Sequence, residues 1–149
     1  MVELLIRHGE WVVVCDGAKA LILENVGDAM FPNLKTREVH EQPDLMTHDQ
    51  GTDAPGRAVN SVGGARSAVA QTDWHDQAEQ VFLTKLAQHL ETALAAGKVK
   101  SLVVVAPPRA LGMIRPAYGH ALRAALRAEI DKDLVKMPVH EIEKHLTGA

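Results

Sequence analysis

The stretch WVVVCDGAKALILE, residues 11–24, decides the fold. Two apolar runs flank Asp16-Gly17. An Asp-Gly pair between strand-like runs signals a β-hairpin, because both residues tolerate the positive φ of a tight turn. The first run, residues 11–15, shows no alternation of apolar and polar side chains. A strand apolar on both sides is covered on both faces, so it belongs in the middle of a sheet with helices above and below. Residues 101–106, SLVVVA, are a second wholly apolar run and predict a central strand beside the first. Pro107-Pro108 remove backbone donors and stop it.

The chain of 149 residues is expected to form a single domain, residues 1–149, around one core. Hydrophobic residues make up 46% and charged residues 23%, and the formal net charge is −3, so no global basic field draws the protein to nucleic acid. Any such contact needs a local patch. The single cysteine, Cys15, cannot form an internal disulfide and reads as a small buried hydrophobe in the central strand. The N-terminus carries no basic-then-apolar export pattern, and no apolar run reaches membrane-spanning length. The expected compartment is the cytoplasm.

Residues 35–41, KTREVHE, alternate with Thr36, Glu38 and His40 on one side and Arg37, Val39 and Glu41 on the other. The low apolar content suits an outer strand whose charges discourage pairing with other chains, with His40 a solvated edge residue. Residues 42–72 show no sustained period and hold Pro43, Gly51, Pro55, Gly56, Gly63 and Gly64, which predicts a long glycine-bearing connector at about 43–72. A helix comes next over residues 74–96, with Ala78, Phe82, Leu86, Leu90 and Ala93 at helical spacing, His89 off that stripe and Gly97 at its end. Residues 109–127 predict a second helix, interrupted early by Pro116, on which Arg115, Arg123 and Arg127 share one face at multiples of four. A short edge strand near 129–134 and a last helix over 138–146 complete the order β-β-β-α-β-α-β-α. That order makes an α/β fold: a mixed five-stranded sheet with helices on both faces, in a ribonuclease H-like or ribosomal L18-like arrangement.

Three local patterns suggest chemistry and lack the context for it. Arg7-His8-Gly9-Glu10 resembles the phosphohistidine signature of histidine phosphatases, but a strand comes at once where a loop and helix belong. Asp16 could mimic the metal-binding aspartate of ribonuclease H, yet Glu24, Glu41 and Asp73 do not obviously converge on it. His140-Glu141 opens like a zinc-protease HExxH motif, but the next histidine is His145. Five residues apart, the two imidazoles leave a shared helix face. No catalytic residue, metal site or cofactor is therefore expected.

Across nearly its whole length the chain resembles a bacterial family, the proteins required for attachment to host cells. The stretches that carry the likeness are WVVVCDGAKALILE (11–24), GTDAPGR (51–57), TDWHDQAEQVFLTKLAQHL (72–90), LVVVAPPRALGMIR (102–115) and KDLVKMPVHEIEKHL (132–146). That family is in turn similar in fold to the middle domain of eukaryotic and archaeal peptide release factors, where a Gly-Gly-Gln loop places water at the peptidyl-tRNA ester. The corresponding loop here reads Val62-Gly63-Gly64-Ala65-Arg66, with Ala65 where the glutamine stands. The resemblance thus implies a non-enzymatic interaction module that contacts ribosome, tRNA or a protein partner through the connector. Gly56, Arg57, Gly63, Gly64 and Arg66 are its contact set, because glycines let a backbone approach an anion and arginine forks suit phosphate. Arg115, Arg123 and Arg127 form a secondary basic face. The alternative is a hydrolase of peptidyl-tRNA or phosphoester bonds working from the same loop.

Overall fold

A computed structural model describes residues 4–43 and 64–148, with side chains in the second stretch from Trp74 onward. Three strands come first, β1 (Trp11–Cys15), β2 (Lys19–Asn25) and β3 (Leu34–Glu41). Helix α1 (Gly64–Ala95) leads to β4 (Leu102–Ala106), then α2 (Pro108–Ile114), a 3-10 turn (Arg115–Ala117) and α3 (His120–Ala125). Strand β5 (Leu126–Asp131) and helix α4 (Val139–Thr147) end the fold. The five strands lie in the order β3-β2-β1-β4-β5. β1 pairs antiparallel with β2 and parallel with β4, so the sheet is mixed and the fold is α/β, with β1 in the centre.

The two apolar runs behave as their lack of alternation requires. Every residue of β1 and of β4 is buried, and successive side chains enter opposite layers. Trp11, Val13 and Cys15 join Leu83, Leu86, Leu90, Leu111, Ile114 and Leu122 beneath α1, α2 and α3. Val12 and Val14 join Ile6, Ile142 and Leu146 beneath α4 and the N-terminal segment. Each fully buried Val, Leu or Ile contributes about 1.5–3 kcal/mol, and both faces of the sheet gain this way.

The hairpin forms as expected, but its turn does not use positive φ. Neither Asp16 nor Gly17 lies in the left-handed region. Instead the Asp16 carboxylate accepts from the amides of Ala18 at 2.8 Å and Lys19 at 2.9 Å, and the Asp16 amide donates to the Lys19 carbonyl. The side chain thus builds the turn. Gly17 packs closely on α1: a Cβ there would stand 2.7 Å from carbons of the Glu79 side chain, which would have to swing aside.

Three helical boundaries differ from expectation. α1 starts at Gly64, ten residues before Trp74, so Gly64 and Arg66 lie on a helix and the connector is shorter than 43–72 implies. The single helix expected over 109–127 is instead α2, the 3-10 turn holding Pro116, and α3, because the backbone extends at Tyr118 and Gly119. β5 begins at Leu126, which puts Arg127 on a strand. Arg115, Arg123 and Arg127 therefore share no helix face. α3 is capped from outside itself: the Glu91 carboxylate on α1 accepts from the amides of Ala121 (2.7 Å) and Leu122 (3.0 Å). Two free amides of a helix start are satisfied this way.

Two buried polar side chains tie the layers together. Glu10 is 2% exposed. Its Oε2 accepts from Arg127 Nε at 2.7 Å and Ser101 Oγ at 2.9 Å, and its Oε1 from Arg127 Nη2 at 2.7 Å and the Arg7 amide at 3.1 Å. Arg127 also donates to the Leu5 carbonyl. Asn25, fully buried, donates Nδ2 to the carbonyls of Ile6, Arg7 and Asp28, while its Oδ1 accepts from the amides of Gly27 and Asn33 at 2.9 Å each. Burial pushes the Glu10 carboxyl up, but the bonds from Arg127, Arg7 and Ser101 outweigh it and hold it below the usual carboxylate value. A depressed folded pKa adds stability that is present above the unfolded value and lost as pH falls through the folded one. We predict that Arg127→Met, which leaves this carboxylate buried without its cation, lowers the unfolding free energy by about 3–5 kcal/mol at neutral pH in urea titrations. The loss should shrink as the pH falls, starting above the usual carboxylate value, because burial raises the unpaired carboxyl of the variant and it protonates before the paired one does. An equal loss at pH 7 and pH 3 would show that the charge is irrelevant.

Candidate functional site

β3 does not keep one alternation from end to end. It pairs with β2 as Thr36↔Leu23 and then Glu38↔Ile22, which leaves Arg37 as an extra residue in a bulge. Leu23 belongs to the layer under α4 and Ile22 to the layer under α1. Paired residues face the same way, so Leu34 and Thr36 face α4, whereas Glu38 and His40 face α1. Thr36, Glu38 and His40 therefore do not share one face as the bare spacing suggests. Arg37 itself lies over the Trp11 ring, 4.8 Å from its centroid, and donates to Glu24 at 3.2 Å.

Facing α1, Glu38 and His40 meet His89. Glu38 Oε1 is 2.9 Å from His40 Nε2 and 2.7 Å from His89 Nε2, and the two imidazole centroids are 4.8 Å apart with planes at 58°. All three residues are partly buried. Burial raises the Glu38 carboxyl, but the adjoining imidazoles of His40 and His89 more than offset it, so its pKa lies below the usual value. His40 is thus a half-buried residue paired with Glu38 and not simply a solvated edge one, while His89, off the apolar stripe as expected, is partly exposed and faces the same carboxylate. Among the described residues, these three are the group of His, Cys, Asp or Glu side chains converged closely enough to hold a metal ion.

The same imidazoles border a groove of about 630 Å³ between the end of β3 and the outer side of α1. His40, Gln42 and Pro43 line one wall; Trp74, Val81, Phe82, Lys85 and His89 line the other. Val81 is 52% exposed and Trp74 37%, so apolar surface stands open to solvent here. Glu41 and Lys85 are the oppositely charged members of the lining.

Of the contact set expected from sequence, Gly56, Arg57 and Gly63 lie outside the described residues. Gly64 opens α1 and Arg66 lies in its first turn. The secondary set is engaged internally. Arg115 pairs with Glu129, whose other oxygen accepts from Tyr118 Oη at 2.7 Å. Arg127 holds Glu10, and Arg123 Nε donates to the Tyr118 carbonyl at 3.2 Å. Arg109 adds another pair, with Asp76 and Glu79. A phosphate-binding stripe would need these guanidinium groups released.

The other sequence patterns resolve into structure. His8 and Gly9 form a turn, Gly9 at φ +78°, and His8 Nδ1 lies 2.7 Å from the Gly27 carbonyl. Asp16 is committed to its turn. Burial, with the nearby Asp16 charge, pushes the Cys15 thiol up to about 12. At pH 8 the thiolate is then on the order of one part in ten thousand, so native Cys15 should resist iodoacetamide and react only once the chain is unfolded in guanidinium chloride. Rapid labelling of the native protein would contradict this burial.

No helix among the described residues is long and apolar enough to cross a membrane. A comparison with curated proteins finds no match. The sequence profile of one family, described as "Protein required for attachment to host cells", matches residues 11–146, from the first residue of β1 into α4. The match spans the sheet, the helices and the groove, and the chain belongs to the family of proteins required for attachment to host cells.

Proposed function

We propose that the protein is a cytoplasmic, non-enzymatic interaction module whose partner is another protein, held in the groove between β3 and α1. The observation that carries this reading is the groove itself: about 630 Å³, walled by exposed Trp74 and Val81 and by Phe82. An apolar cleft of this size accepts a large apolar side chain or a short apolar segment, and aromatic walls dominate such contacts. The charge pattern supports the same choice. The lining carries one acid, Glu41, and one lysine, Lys85, so the groove itself is not a basic surface for a phosphate backbone; elsewhere Arg109, Arg115 and Arg127 are held by carboxylates. Gly56, Arg57, Gly63, Gly64 and Arg66, in the segment between Pro43 and the body of α1, are proposed to contact the same partner.

A photoreactive residue placed at Val81 in the source cells tests the reading, with one at the exposed Ala124 on α3 as control. The expected result is a discrete protein adduct at Val81 that is absent at Ala124 and lost when Trp74→Ala is added. A ribonuclease-sensitive adduct that survives Trp74→Ala and disappears with Arg57→Ala and Arg66→Ala would assign the contact to RNA and overturn the protein reading. No adduct at Val81 above the control would overturn it as well.

A further inference from the structure

His40 and His89 line the groove, with Glu38 against both, but none of the three is needed to make it apolar. Two of the side chains come from β3, two residues apart on one face, and the third from α1, so the cluster forms only when strand and helix dock. Their ligand atoms all lie within 4.8 Å of one another. Tetrahedral coordination at about 2.0–2.2 Å places ligand atoms about 3.3 Å apart; the two contacts to Glu38 Oε1, at 2.9 and 2.7 Å, are shorter than that, so the carboxylate must draw back by about half an ångström to admit an ion between the three groups. His89 Nε2 is shielded from solvent and has no hydrogen-bond partner; it approaches Glu38 Oε1 out of line for donation. A shielded ring nitrogen with no satisfied hydrogen bond is open to a ligand role, since an imidazole binds metal through the lone pair of its neutral form.

We propose that these three residues bind a divalent transition metal ion of the zinc class. His40 Nε2, His89 Nε2 and Glu38 Oε1 are the protein ligands, and water or a donor group from the groove's occupant takes the fourth position. Nitrogen and carboxylate donors suit zinc, and a three-ligand set leaves a position open where a fully ligated structural site does not. Arg37 Nε lies 3.8 Å from the other oxygen, Glu38 Oε2, near enough to attract it but too far for a hydrogen bond. The ion would stiffen the junction of β3 with α1 at one wall of the groove.

Cobalt titration of untagged, metal-stripped protein tests this. The expected result is visible absorption of tetrahedral intensity at one equivalent, removed by zinc. In long-range proton–nitrogen spectra, zinc should shift the ring resonances of His40 and His89 and leave His140 and His145 in place. His40→Gln, His89→Gln and Glu38→Gln should each weaken zinc binding by about tenfold or more, and His140→Gln should leave it unchanged. Circular dichroism identifies any variant that fails to fold; the ring shifts in the unsubstituted protein test the site without variants. A cobalt spectrum that stays octahedral, zinc shifts confined to other histidines, or equal affinity in folded triad variants would show an internal ion-pair network and no metal site.

Discussion

The fold depends on one buried carboxylate. Glu10 sits at the entrance to β1 and takes two bonds from Arg127 at the start of β5 and one from Ser101 just before β4. The beginnings of three neighbouring parallel strands are thereby fixed at one end of the sheet, where the ladder alone leaves strand starts free to fray. Removing two charges from water is costly, and the pair is tolerated because every approach to the carboxylate is a donor. Asn25 plays the uncharged counterpart next to it, closing the N-terminal segment onto the β2–β3 turn.

The bulges in β5 and β3 each leave an arginine out of the ladder, and both arginines return to the start of β1. In β5 the register passes from Leu126 to Ala128, and the skipped Arg127 reaches Glu10. In β3 it passes from Thr36 to Glu38, and the skipped Arg37 covers Trp11. The extra residue in each strand supplies a cation to the sheet's centre and re-aims the side chains beyond it. On β3 the consequence is functional geometry: Leu34 fills one layer while Glu38 and His40 turn to the other, where they meet His89.

The central strands could be read from residues 11–15 and 101–106 because burial on both faces demands continuous apolar runs, a demand local sequence displays directly. The hairpin was legible too, but not its mechanism. Asp-Gly signals positive φ, and here the aspartate side chain supplies the turn while the glycine yields space to Glu79. The start of α1 was hidden because GARSAVAQTD offers small and polar residues with no apolar period to mark a helix. The break between α2 and α3 was hidden for the opposite reason: Leu111, Ile114, Tyr118 and Leu122 keep helical spacing across an extended pair of residues. The triad had no signal at all. It joins residues far apart in the chain, and which way Glu38 and His40 point is set by a bulge that no spacing rule reveals.

The cap that α1 lends to α3 makes the shorter helix dependent on the longer one. Six residues of helix cannot nucleate alone in water, and the amides of Ala121 and Leu122 have their acceptor only once Glu91 is in place. The short helix therefore draws its stability from the long one, and the two are coupled through a single carboxylate. Glu91, an ordinary charged residue by composition, is thus what makes six residues of helix worth forming.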